Sequence, residues 1–103
     1  MEEMRRVPTF VILGKFRQKG IENIKDFQKI MTFAIETGMK HGIEVKAMYF
    51  TFGQYDFVTI TEAPSAEISL QRLFVLGSRG SVRTETLSAV PFEKGIKEIS
   101  KLE

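Results

Sequence analysis

Two strand-like runs joined by a short glycine turn, Ile43 to Phe52 and Tyr55 to Glu62, constrain this chain more than any other feature. Residues on a strand alternate between the two faces of a sheet, so each face is read separately. A hairpin joined by two or four residues pairs even positions of the first run with odd positions of the second. One face then carries Met48, Phe50, Phe52, Tyr55, Phe57, Thr59 and Thr61, and the other Val45, Ala47, Tyr49, Thr51, Asp56, Val58 and Ile60. An earlier run, Thr9 to Phe16, behaves alike, with Phe10, Ile12 and Phe16 opposite Val11 and Leu13. Neither face is polar enough to stand in water.

The remaining elements follow from period and punctuation. Ile24, Phe27, Met31, Ala34 and Ile35 recur at helical spacing, predicting a helix over about 22–41 with Asn23 or Asp26 at its start and Gly42 at its end. Ala66, Leu70, Leu73, Phe74 and Leu76 define a second helix, about 64–77, with Pro64 in its first turn and Gly77 and Gly80 stopping it. Val82 to Val90 reads as a fourth strand. Pro91 opens a short amphipathic helix with Phe92, Ile96 and Ile99 opposite Lys94, Lys97 and Lys101. The order β-α-β-β-α-β plus a terminal helix predicts an α+β, ferredoxin-like domain over 9–103, after a flexible N-terminal segment, 1–8.

Both main helices cover the same side of such a sheet. The other side exposes an apolar patch well beyond the few hundred Å² that monomers tolerate. The terminal helix, with three apolar anchors, is too small to cover it. A second copy related by a two-fold axis is the simplest cover, so the chain is expected to be a homodimer, a two-chain α+β barrel, with further assembly left open. Burying about 800 Å² at about 25 cal/mol per Å² is worth on the order of 20 kcal/mol before association costs.

Composition then removes function classes. With no cysteine, no tryptophan and one histidine, no disulfide, structural zinc site or iron–sulfur cluster is available, and no cofactor or metal is expected. Hydroxyl nucleophile chemistry of the Ser–His kind would have to run through His41 alone. A balance of 15 Lys+Arg against 13 Asp+Glu, net +2, gives no basic stripe for nucleic acid. No apolar run nears the ~20 residues of a membrane span. Arg5 and Arg6 precede an apolar stretch, Phe10 to Leu13, too short for a signal-peptide core, so a cytoplasmic location is expected.

Four blocks in order carry a resemblance: Lys19-Gly-Ile-Glu-Asn-Ile-Lys-Asp26, Val45-Lys-Ala-Met-Tyr-Phe-Thr-Phe-Gly-Gln-Tyr-Asp-Phe57, Glu62-Ala-Pro64, and Leu76-Gly-Ser-Arg-Gly-Ser-Val-Arg-Thr-Glu-Thr-Leu87. Together they resemble the GYD-domain family, which implies a dimeric α+β barrel and no settled activity. The Gly53-Gln54-Tyr55-Asp56 turn is also similar to that of effector-binding domains of Lrp/AsnC-type regulators. Other members of the superfamily are small monooxygenases, isomerases and haem-degrading enzymes. This chain departs from the last, having no histidine on its second helix and no tryptophan. It also lacks the family's Ser-Pro pair near Asp26-Phe27-Gln28.

Candidate chemistry is sparse, and each group has a structural reading beside it. Asp56 is either a bond to turn amides or an acid or base at the barrel mouth with Tyr55 as partner. Arg83 either pairs with Glu85 or across the dimer, or holds an anionic ligand. Tyr49, Phe50, Phe52 and Phe57 either pack as core or line a small apolar pocket. Gly77-Ser78-Arg79-Gly80-Ser81 sits at a helix C-terminus, the wrong end for phosphate. His41 reads as a surface group at a helix end. The expected function is binding of a small, partly apolar molecule in or beside the barrel. The alternatives are a cofactor-free monooxygenase or isomerase using Tyr55, Asp56 and Arg83, and a structural assembly module.

Overall fold

Alternating burial along β3 (Phe57–Glu62) sets the architecture: Phe57, Thr59 and Thr61 are buried, while Val58 and Ile60 between them are only partly covered. In the computed structural model, which describes residues 7–103, β3 pairs with β1 (Thr9–Phe16) and β2 (Glu44–Phe50), and β1 also pairs with β4 (Val82–Ala89). The sheet is antiparallel throughout, in the order β2-β3-β1-β4. With α2 (Phe27–Lys40) and α3 (Ala66–Ser78) in the crossovers, this is the expected α+β, ferredoxin-like fold. The expected N-terminal segment, 1–8, lies outside the described residues as far as Arg6. Pro8, near its end, accepts a hydrogen bond from the Ala63 N–H at 3.1 Å.

The first helix is broken where continuity was expected. A short α1 (Gln18–Glu22) and a 3-10 turn (Ile24–Asp26) precede α2. The break falls at Asn23, whose backbone and side-chain N–H groups both donate to the Lys19 carbonyl, and whose own carbonyl takes the Asp26 N–H at 2.8 Å. α2 ends as expected: Gly42, at φ 86°, donates to Met39 and Ile43 to Gly38, so both carbonyls of the last turn are satisfied. α3 starts two residues after Pro64, which was expected in its first turn, and Ser65 caps it, accepting the Ile68 N–H at 3.2 Å. At its other end, Lys19 Nζ donates to the Arg79 carbonyl and Gly80 turns the chain at φ 79°. The Gly77 to Ser81 run is therefore a helix stop.

The hairpin is shorter than expected, and this changes two face assignments. A bulge at Lys46 lies between Val45, opposite Thr61, and Ala47, opposite Ile60, and moves Val45 to the helix-covered face. Residues 51–56 form a loop, not strand ends, so Tyr55 escapes the alternation that placed it with Phe57. The face away from the helices carries Val11, Leu13, Ala47, Tyr49, Val58, Ile60 and Leu87. α4 (Phe92–Ile99) leaves Phe92, Ile96 and Ile99 exposed and does not cover this face. The described chain is elongated as a result, 53 × 32 × 18 Å.

Candidate functional site

The β2–β3 loop fixes the backbone of Tyr55 and both ends of Asp56 by four hydrogen bonds. Gly53 sits at φ 97°, a conformation that suits glycine alone among these residues. The Thr51 N–H donates to the Asp56 carbonyl and its hydroxyl to the Tyr55 carbonyl, at 2.9 and 2.7 Å, closing the loop. The Asp56 N–H donates to Gly14, while its carboxylate accepts the Phe16 N–H at 2.8 Å. Asp56 thereby extends the β1–β3 ladder past its last pair, Gly14 with Phe57, using a side chain in place of a strand.

Tyr55 points elsewhere. Its hydroxyl donates to the Glu85 carboxylate on β4. Since β1 lies between β3 and β4, the Tyr55 and Glu85 side chains together bridge over β1 on the face that the helices leave uncovered. The hydrogen bond to Glu85 pushes the phenol's pKa up, burial and the carboxylate's charge add to this, and Arg83 opposes it weakly. Tyr55 is thus held protonated, as a donor. Arg83 and Glu85 share a side of β4, yet among the described residues they form no ion pair. His41 is the exposed capping residue of α2. Among the described residues no group of three or more His, Cys, Asp or Glu is placed to hold a metal. None of their helices is long and apolar enough to cross a membrane.

The four aromatic residues are not in one place. Phe57, 1% exposed, lies against Phe16 and Phe27 with ring centroids 5.7 and 5.3 Å away. Phe50 stacks toward Phe27 at 5.9 Å but is 74% exposed on the edge strand β2. Tyr49 is 59% exposed, and Phe52 stands fully exposed in the loop. Tyr49, Phe50 and Phe57 line a common groove of about 750 Å³ between α2 and β2, with Phe16, Ile24, Phe27, Met31 and Met48. That size lies within the range of small-molecule sites, which pair apolar walls with a few polar groups. Lys25, Gln28 and Thr32 supply them. Sequence reasoning passed over these three, although Gln28 and Thr32 stand one helical turn apart beside Phe27 and Met31.

A family model for the GYD domain matches residues 10–99. The chain belongs to the GYD-domain family. It is 37% identical over 86 residues to a "Glutamine synthetase and cystathionine beta-lyase binding protein" of Thermus thermophilus, covering 82% of this chain and 90% of that one. Its fold is similar to that of the leucine response regulatory protein LrpA of Mycobacterium tuberculosis, with a TM-score of 0.60 at 17% identity. That match covers 81% of this chain and 50% of the regulator, so the GYD-family chain spans about half of its length. The structure of FFRP-DM1 is similar over 81% of this chain and 99% of its own, with a TM-score of 0.50 at 19% identity. At these identities the two structures speak to the fold alone.

Proposed function

We propose that this GYD-family protein is a homodimeric binding protein whose two copies close on each other's uncovered sheet faces. Each copy then holds a small, partly apolar molecule in the α2–β2 groove beside the barrel. The observation that carries this reading is the apolar sheet face, Val11, Leu13, Val58, Ile60 and Leu87, which neither the main helices nor α4 covers. Tyr49 on that face and Phe50 in the groove are neighbours on the edge strand β2, so closing the dimer also orders one wall of the groove. Tyr55, Glu85 and Arg83 then face the space between the sheets as its polar groups. In this role Asp56 holds the turn that aims Tyr55.

The test is a thermal-shift screen of small amphiphilic metabolites against the wild type, Phe50→Ala and Val58→Lys. The reading expects a stabilising compound whose effect falls in Phe50→Ala, and a monomer from Val58→Lys. A screen with no response, or a ligand indifferent to Phe50, contradicts the binding part. A dimer that survives Val58→Lys contradicts the assembly.

A second reading has its own support. The Thermus relative's name describes it as binding two enzymes, and α4 here displays Phe92, Ile96 and Ile99 along one exposed stripe. Such a stripe suits a groove on a protein partner. Pull-down with a glutamine synthetase, lost on Phe92→Ala with Ile96→Ala, would favour this reading.

A further inference from the structure

On the opposite face of the sheet from the proposed dimer contact, a second hollow of about 80 Å³ lies between the sheet and the α2–α3 pair, meeting the groove at Met31, Ile35 and Phe57. Ile12, Thr59 and Thr61 line it from the sheet, and Met31, Arg72 and Leu73 from the helices. Thr59 and Thr61 are 5% and 4% exposed, and neither hydroxyl has a hydrogen-bond partner among the described residues. The same holds for Arg72 Nε, whose neighbouring Nη2 donates to the Thr37 hydroxyl at 3.2 Å. No described carboxylate stands within ion-pair distance of this guanidinium.

Folded proteins seldom leave three buried polar atoms unpaired in one place. All three can donate, and one belongs to a cation without a counter-charge. Water can satisfy the hydroxyls, but an anion also gives the partly buried guanidinium a counter-charge, and the aliphatic remainder of the wall holds water poorly. An anion with a compact apolar body answers both. We propose that this hollow binds a small aliphatic monocarboxylate, its carboxylate against Arg72, Thr59 and Thr61 and its hydrocarbon against Ile12, Met31 and Leu73. An apolar cavity of about 150 Å³ accommodates the six carbons of benzene, so this one suits about three to four non-hydrogen atoms, the size of acetate. The site lies within one chain and does not rest on the dimer.

The test uses the full chain and sodium acetate, followed by the methyl resonances of Thr59 and Thr61 and by melting temperature. Acetate shifts both methyls saturably and raises the melting temperature. Uncharged acetamide binds at least about tenfold more weakly, as does acetate to Arg72→Met. Thr59→Val with Thr61→Val keeps the side-chain volume, guards against loss of folding in the arginine variant, and also weakens acetate by about tenfold. Phe50→Ala, in the neighbouring groove, leaves acetate affinity unchanged. Equal binding of acetate and acetamide, the same methyl shifts from sodium chloride, unaltered affinity in the threonine variant, or loss of affinity in Phe50→Ala overturns the proposal.

Discussion

The Asp56 carboxylate accepts the Phe16 backbone N–H at 2.8 Å, tying the β2–β3 loop to the end of β1 and holding Phe16 beside Phe27 and Phe57. Asp56→Ala leaves that partly buried N–H without an acceptor and costs about 1–3 kcal/mol of stability. Asp56→Asn keeps an acceptor oxygen and costs less. Urea denaturation of both variants checks the order.

The Tyr55–Glu85 contact predicts a pH dependence. The phenol's pKa is raised in the folded chain, so the contact's contribution is fully present below the ordinary phenol value of about 10 and is lost as pH rises through the raised one. In a Tyr49→Phe background, phenolate absorbance reports Tyr55 alone. It titrates above the ordinary value there, and Glu85→Gln brings the midpoint down.

Two glycines make opposite predictions. A Cβ on Gly20 would lie 2.1 Å from the Ser81 carbonyl oxygen, a backbone atom that cannot swing aside. Gly20→Ala therefore destabilises by about 1–3 kcal/mol. Gly77, near the end of α3, has open space where its Cβ would stand, and Gly77→Ala stabilises by about 0.5–1 kcal/mol. Thermal melts of the two variants move in opposite directions.

Among the aromatic residues, Phe57→Ala removes a fully buried ring and costs about 3–5 kcal/mol, whereas Phe52→Ala at the exposed loop changes stability by no more than about 0.5 kcal/mol. Equal effects on chemical denaturation would contradict the different places the structure gives them.

What the sequence revealed, and what it hid, divides along local and non-local physics. Element order follows from period: Phe27, Met31 and Ile35 mark a helix face wherever they pack, and alternation in β1 and β3 marks a two-sided sheet. The bulge at Lys46 leaves no such trace, because a single extra residue inverts a face without changing composition, and so alternation alone puts Val45 on the wrong side. Alternation misplaces Tyr55 too, because Asp56 ends the strand with a side-chain hydrogen bond that the pattern does not record. The Gly14–Phe57 pair was hidden for a like reason. A Cβ on Gly14 would lie 2.1 Å from the Phe57 ring, a constraint that exists only once β1 and β3 are in register. The groove residues Lys25, Gln28 and Thr32 read as ordinary helix surface until β2 is placed beside them. Arg72 on α3 and the two threonines on β3 come from two stretches of chain that face each other only in the fold.

Sedimentation equilibrium of the wild-type chain at micromolar concentration tests the central claim most directly. A sheet with Leu13, Val58, Ile60 and Leu87 on its uncovered side predicts a species of twice the 11.8 kDa chain mass, or a multiple of that pair. A stable species at the mass of one chain would contradict it.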